Sequence, residues 1–231
     1  MVLIRYLLYF LGVAVVTGAL VEMEILWPGS LKLLVVPPGA TLGTSEYSPI
    51  EMMQPVILGV CGMLYAWVAR HCPSQRPVAF MFGALALAFL IRELDYFLDR
   101  WVADNFWQAT LAVAAALIIT YTYRHWRRFR IAWLRVWPSP GIALLFAGAC
   151  IHFAFVRFVG HEALWVAILG DGYQRVIKLA LEEFIELMGY YLWLIGTIEY
   201  AYQARAIALR EPQPAVARRR TARKPKPEGR F

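Results

Sequence analysis

Val78–Arg100 reads VAFMFGALALAFLIRELDYFLDR, and the rest of the chain is organised by how this stretch is read. From Val78 to Ile91 every residue is apolar or glycine, whereas Arg92, Glu93, Asp95, Asp99 and Arg100 put five charges into its end. As one helix over residues 78–99 it is long enough to cross about 30 Å of hydrocarbon at a rise of about 1.5 Å per residue. Lipid does not tolerate such charges unpaired. Glu182-Glu183-Phe184-Ile185-Glu186 opens the last apolar segment and is the natural counterpart. The fold is expected to bring the two stretches together.

The whole chain fits this reading. It has 231 residues, 60% of them hydrophobic and 15% aromatic, with several apolar runs near the roughly 20 residues a spanning helix needs. A membrane β-barrel would alternate in short segments, and none appear; a soluble domain would not carry so many near-continuous apolar runs. The expected fold class is therefore all-α: a polytopic membrane protein with a bundle of six transmembrane helices over residues 3–26, 49–70, 78–99, 105–123, 140–160 and 172–205. Residues 1–205 form the one domain, and 206–231, rich in Pro, Arg and Lys, read as a disordered basic tail. Cys61, Cys72 and Cys150 are odd in number and two lie within apolar runs, so they are core residues and not a disulfide framework.

Local signals set the boundaries. The first segment is too long for a signal peptide and has no small-x-small cleavage site around Gly18 to Glu22, so it reads as an uncleaved anchor. A loop to Tyr47 follows, its apolar piece around Leu33 to Val36 dipping into the interface. Ser48-Pro49-Ile50-Glu51 combines an N-cap, a proline for the first helical position and a capping-box glutamate, and Ser139-Pro140 repeats the cap and proline. Asp104 is the expected cap of the fourth segment, and Asp171-Gly172-Tyr173-Gln174 reads as a second capping box opening the last helix. Arg124 to Arg130 is taken as a basic, aromatic loop and His161 to Leu169 as an interfacial segment.

Charge then orients the bundle. With six spans, helix counting puts Arg5, the turn at Arg70 and Arg76, the Arg124–Arg135 region and the tail on one face, together 17 of the 23 basic residues. The positive-inside rule makes that face cytoplasmic and both termini cytoplasmic, as in a bacterial inner-membrane protein. The net charge of +7 thus marks topology and argues against nucleic acid as a partner. Anionic lipids are the expected partners of the tail, at about 1 kcal/mol per basic residue near the surface.

The outer leaflet holds the polar centre. Arg92, Glu93, Asp95, His152, Arg157, Glu182, Glu183 and Glu186 are its candidate members, with Glu51, Asp99, Arg100, His161 and Glu162 as an outer rim. Glu182, Glu186, Gly189, Trp193 and Gly196 share one helix face, and Gly141, Gly148 and His152 lie close to one face of another, so close backbone approach is expected there. Each charge also has a simpler reading, as an ion pair that fixes helix order, and His152 as a hydrogen-bonded bundle residue.

Three functions compete. Buried carboxylates beside an arginine and a histidine suit the handling of protons, ions or a small solute, as in a transporter or channel. A second reading makes His152, Glu93, Glu182 and Glu186 ligands of a divalent zinc- or iron-type ion that activates water against a lipid, although no His-Glu-x-x-His or Glu-x-x-His spacing is present. The third is a non-catalytic membrane subunit or assembly factor whose charges pair with a partner protein or a second copy. Nucleophile motifs and phosphate loops are absent, and a haem would lack a second axial histidine.

Overall fold

A computed structural model describes residues 2–33, 35, 48–95, 98 and 106–211. These residues are helical apart from short turns, so the chain is all-α over this extent. The helices are α1 (Val2–Leu26), α2 (Pro49–His71), α3 (Arg76–Glu93), α4 (Phe106–Arg124), α5 (Trp126–Val136), α6 (Pro140–Val159), α7 (Glu162–Leu169) and α8 (Arg175–Arg210). Four of them, α1, α2, α4 and α6, are long and apolar enough to cross a membrane. Asp99, Arg100, the cap at Asp104, most of the loop before Ser48 and the tail from residue 212 lie outside the described residues.

Both proline-led starts form as their chemistry dictates. Ser48 Oγ accepts from the Ile50 N–H at 3.1 Å, and Ser139 Oγ from the Ile142 N–H at 3.3 Å, each satisfying a donor that the first turn leaves without a helical acceptor. Four boundaries differ from the sequence reading. The helix expected over 78–99 breaks after Glu93 at a turn on Leu94, with helical backbone again at Asp95 and Leu98. Asp171 opens no helix: Gly170, at φ +52°, starts a 3-10 turn, Gly170–Gly172, and α8 begins at Arg175 behind Gln174, with no side-chain cap. The basic run is no loop. It enters α5, where Ala132 and Val136 are buried while Arg127, Arg128, Arg130 and Arg135 are exposed, an amphipathic face with helical period. The sixth expected span, placed over 172–205, runs to Arg210, and α8 is about 54 Å long for its 36 residues.

α8 is the central post, packed against α2 on one side and α6 on the other. Its seam with α6 is made of glycines. A Cβ on Gly141 would stand 2.8 Å from the Tyr200 nitrogen and 3.0 Å from the Gly196 oxygen, and one on Gly196 would stand 2.9 Å from the Gly141 oxygen. One seven-residue interval along, a Cβ on Gly148 would lie 2.9 Å from the Gly189 oxygen. Such backbone approach is how helices gain dispersion contact where the hydrophobic effect gives no drive. Toward α2 the seam is aromatic and polar. Tyr65 Oη lies 2.7 Å from Thr197 Oγ1, both residues being buried, and Tyr200 Oη donates to the Gln75 carbonyl at 3.3 Å.

α1 buries only Leu20. Its attachment is electrostatic: Arg5 Nη2 donates to Glu199 Oε2 at 2.7 Å, Arg5 Nε lies 2.6 Å from Oε1, and Tyr9 Oη donates to Oε1 at 2.9 Å. Glu199 is 6% exposed and the Arg5 side chain 30%, so the pair is largely shielded on the carboxylate side. Arg5 also lies 4.9 Å from the centroid of the Tyr202 ring.

Candidate functional site

The end of α3 meets α2 and α8 at a pocket of about 220 Å³, lined among others by Glu51, Gln54, Arg92, Glu93, Asp95 and Glu186. Three elements supply it for separate local reasons. Glu51 sits in the first turn of α2, placed there by the Ser48 cap. Arg92 and Glu93 are the last residues of α3, and Asp95 follows the turn that breaks it. Glu186 stands three residues before Gly189, where α8 presses against α6.

Within the pocket Glu93 Oε1 receives two donors, Arg92 Nη1 at 2.6 Å and Tyr190 Oη at 2.6 Å. The Glu93 side chain is 13% exposed and that of Arg92 40%, so the carboxylate lies inside and the guanidinium reaches to the rim. Tyr190 is fully buried, and its hydroxyl locks Glu93 to α8. Gln54 Nε2 donates to Glu183 Oε2 at 3.1 Å, linking α2 to α8 with both partners buried. Pocket walls held by buried hydrogen bonds of this kind are preorganised.

His152 stands deeper, in a π-helical turn, Ile151–Phe155, that interrupts α6. Such turns are rare and occur often at functional sites. The His152 ring is 4.2 Å from the Tyr190 ring and 4.9 Å from Trp193, its Nε2 lies against Gly189, and that buried Nε2 has no hydrogen-bond partner among the described residues. Trp193 Nε1 donates to the Leu145 carbonyl at 3.0 Å and fixes the indole beneath it. His152, Trp193, Phe89, Tyr65 and Trp133 line a second, larger cavity of about 750 Å³, and Arg92, Arg157 and Glu186 line it too.

The structure thus divides the residues singled out in the sequence. Arg92, Glu93, Asp95 and Glu186 share the acidic pocket, and Glu51, expected on the rim, joins them. His152 and Arg157 belong to the apolar cavity. Glu183 faces Gln54, whereas Glu182 pairs with Lys178 at 2.9 Å and lines neither space. His161 and Glu162 are exposed at the start of α7. Gln54 and Tyr190 escaped the sequence reading; a glutamine one helical turn from Glu51 in an apolar run was the legible signal for the first. Tyr190 lies four residues beyond Glu186 but looks like any core aromatic.

The four residues offered as metal ligands do not assemble. Glu182 lies apart, His152 sits in the apolar cavity, and among the described residues no three His, Cys, Asp or Glu side chains come together as a ligand set. Among the described residues, the pocket lining gathers Glu51, Glu93, Asp95 and Glu186 with Arg92. Compared with known proteins, the chain matches no family model, no curated protein and no solved structure.

Proposed function

We propose that this chain is a six-span inner-membrane protein that binds and passes protons or small cationic solutes through an acidic pocket in the outer leaflet. α3 and α8 join the four apolar helices as spans, with both termini and the basic α5 in the cytoplasm. α8, about 54 Å long, exceeds the roughly 30 Å hydrocarbon core, so its Arg205–Arg210 end stands in the cytoplasmic headgroups. There it continues into the basic tail, which anionic lipid attracts.

The observation that carries the reading is that Glu51, Glu93, Asp95 and Glu186 line one small pocket together with Arg92, the one basic residue among its described lining residues. Intramembrane carboxylates gathered at one pocket mark proton and ion pathways. The low dielectric around them strengthens their attraction for a cation.

Charge-displacement currents from proteoliposomes on a solid support test this. Fast exchange to ethylammonium, sodium or acid is expected to give a transient current in the wild type. Glu186→Gln should lower it by about tenfold, the scale of about 1.4 kcal/mol lost from a desolvated site. Glu182→Gln should leave it unchanged. Equal currents in wild type and Glu186→Gln would refute the reading.

A further inference from the structure

The apolar cavity of about 750 Å³ is a slot that runs along the bundle. α3 lines it from Met81 to Arg92 and α6 from Leu145 to Arg157, roughly 16–18 Å at a rise of about 1.5 Å per residue. Ring contacts fix the level of each wall. The Phe82 ring lies 5.6 Å from Tyr65 and 6.1 Å from Trp133 toward one end, and the Phe89 ring lies 5.7 Å from Phe153 toward the other. About one turn beyond Phe89 and Phe153 come Arg92 and Arg157, so both arginines line the same end. Glu186 joins them from α8, which runs antiparallel to α6, since Gly141 meets Tyr200 and Gly160 meets Glu182. Leu85, Phe146 and Phe153 line the slot and are themselves exposed, so it opens on the outer surface of the bundle between α3 and α6.

Space of this size, within the range of about 300–1,000 Å³ typical of small-molecule sites, does not stay empty beside lipid. Unfilled walls forfeit dispersion contacts, and a hydrocarbon chain regains them. The chain alone gives no selectivity, because lipid tails are as apolar as the walls. Selection falls to polar groups. Deep in the slot, Tyr65 Oη and Thr197 Oγ1 are bonded to each other at 2.7 Å, Trp193 Nε1 donates to the Leu145 carbonyl, and His152 turns its Nε2 onto Gly189. At the charged end two of the three charged residues among the described lining are arginines. Arg92 donates to Glu93, whereas Arg157 is exposed and makes no hydrogen bond or ion pair among the described residues.

We infer that the slot holds an amphiphile from the bilayer, its one hydrocarbon chain along the aromatic walls and its singly charged anionic head, a carboxylate or a phosphodiester, on Arg157. A guanidinium presents paired donors that match either head. The walls follow the same order as the molecule, charged at one end and apolar along the rest. Arg157 lines the slot and not the acidic pocket, so this inference stands apart from the cation reading.

Native mass spectrometry of the purified full chain in detergent tests it with four probes of one chain length: hexadecanoate, hexadecyl phosphoglycerol, uncharged hexadecanol and hexadecyltrimethylammonium. At least one of the two anions is expected to bind about tenfold more tightly than hexadecanol, and which of them does so names the head. The cationic probe should gain nothing over hexadecanol. Arg157→Gln, at an exposed position, should lower the anion to the level of hexadecanol, whereas Arg127→Gln on α5, exposed and outside the slot, should leave it unchanged. Glu186→Gln removes a like charge from the same end and should tighten the anion, the reverse of its effect on a cation. Ala149→Trp fills the slot and Leu85→Trp blocks its mouth; each should remove all the long-chain adducts. Anions held no better than hexadecanol, full retention in Arg157→Gln, an equal loss in Arg127→Gln, weaker anion binding in Glu186→Gln, or full retention in both tryptophan variants overturns the proposal.

Discussion

Gly196→Val is expected to prevent the bundle from assembling. Even the first side-chain carbon added at residue 196 would lie 2.9 Å from the Gly141 oxygen and 3.0 Å from the Leu145 nitrogen, distances at which backbone must move. Valine adds two methyl groups and a χ1 that cannot turn away. The neighbouring contacts depend on the same approach, since Trp193 donates to Leu145 across this seam. Overpacking in a close-packed interior costs about 1–3 kcal/mol where side chains can yield, and here the obstacle is main chain on both helices. The expected readout is loss of the monodisperse peak in detergent. Gly196→Ala should retain the peak with a clearly lowered melting temperature. Gly62→Ala on α2, whose added carbon meets nothing within 4 Å, is the matched control and should behave as wild type.

Glu93→Ala should be the most damaging change in the acidic pocket. It strips the acceptor from Arg92 Nη1 and from the hydroxyl of fully buried Tyr190, which both converge on Oε1 at 2.6 Å. Breaking a buried pair by removing one partner costs about 3–5 kcal/mol, although the 40% exposure of Arg92 puts this case toward the lower figure. Glu93→Gln keeps an oxygen in place and should cost about 1 kcal/mol in stability. The two variants therefore separate shape from charge. Thermal unfolding in one detergent at one pH measures both, and a loss in Glu93→Ala as small as that expected of Glu93→Gln would mean that the Arg92 and Tyr190 contacts contribute little.

Much of this arrangement was legible because lipid leaves few choices. An apolar run near 20 residues long has to satisfy its backbone internally, so the helices at Val2–Leu26, Pro49–His71, Phe106–Arg124 and Pro140–Val159 followed from composition. The glycines of α6 and α8 were legible by spacing, since residues seven apart return to one face. Ser48 and Ser139 announced their helices because an N-cap followed by proline has few other uses. The same reasoning failed at Asp171, where a polar pattern suited to a cap sat between two glycines that bend the chain away from helix. It failed at Arg124–Arg130 because the arginines were read for topology and not for helical period; with a period of 3.6, Ala132 and Val136 fall on one face, with Arg127 and Arg130 on the opposite one.

The candidate site was legible in membership more than in partition. Charged residues in apolar runs announce themselves, but which of them meet depends on small rotations and on local breaks. The turn at Leu94 sends Asp95 into the pocket with Glu93, although a straight helix would separate them by about 200°. The π-helical turn at Ile151–Phe155 shifts His152 along its helix, and nothing in IHFAF predicts an extra residue there. The apolar cavity was invisible as well, since aromatic residues that line a space and those that fill a core have the same sequence.

Calorimetric titration of the purified chain with ethylammonium tests whether the acidic pocket beside Arg92 holds a cation. One saturable site is expected in the wild type, about tenfold weaker in Glu186→Gln and unchanged in Glu182→Gln. Binding of equal strength in wild type and Glu186→Gln, or no binding to the wild type, would contradict it.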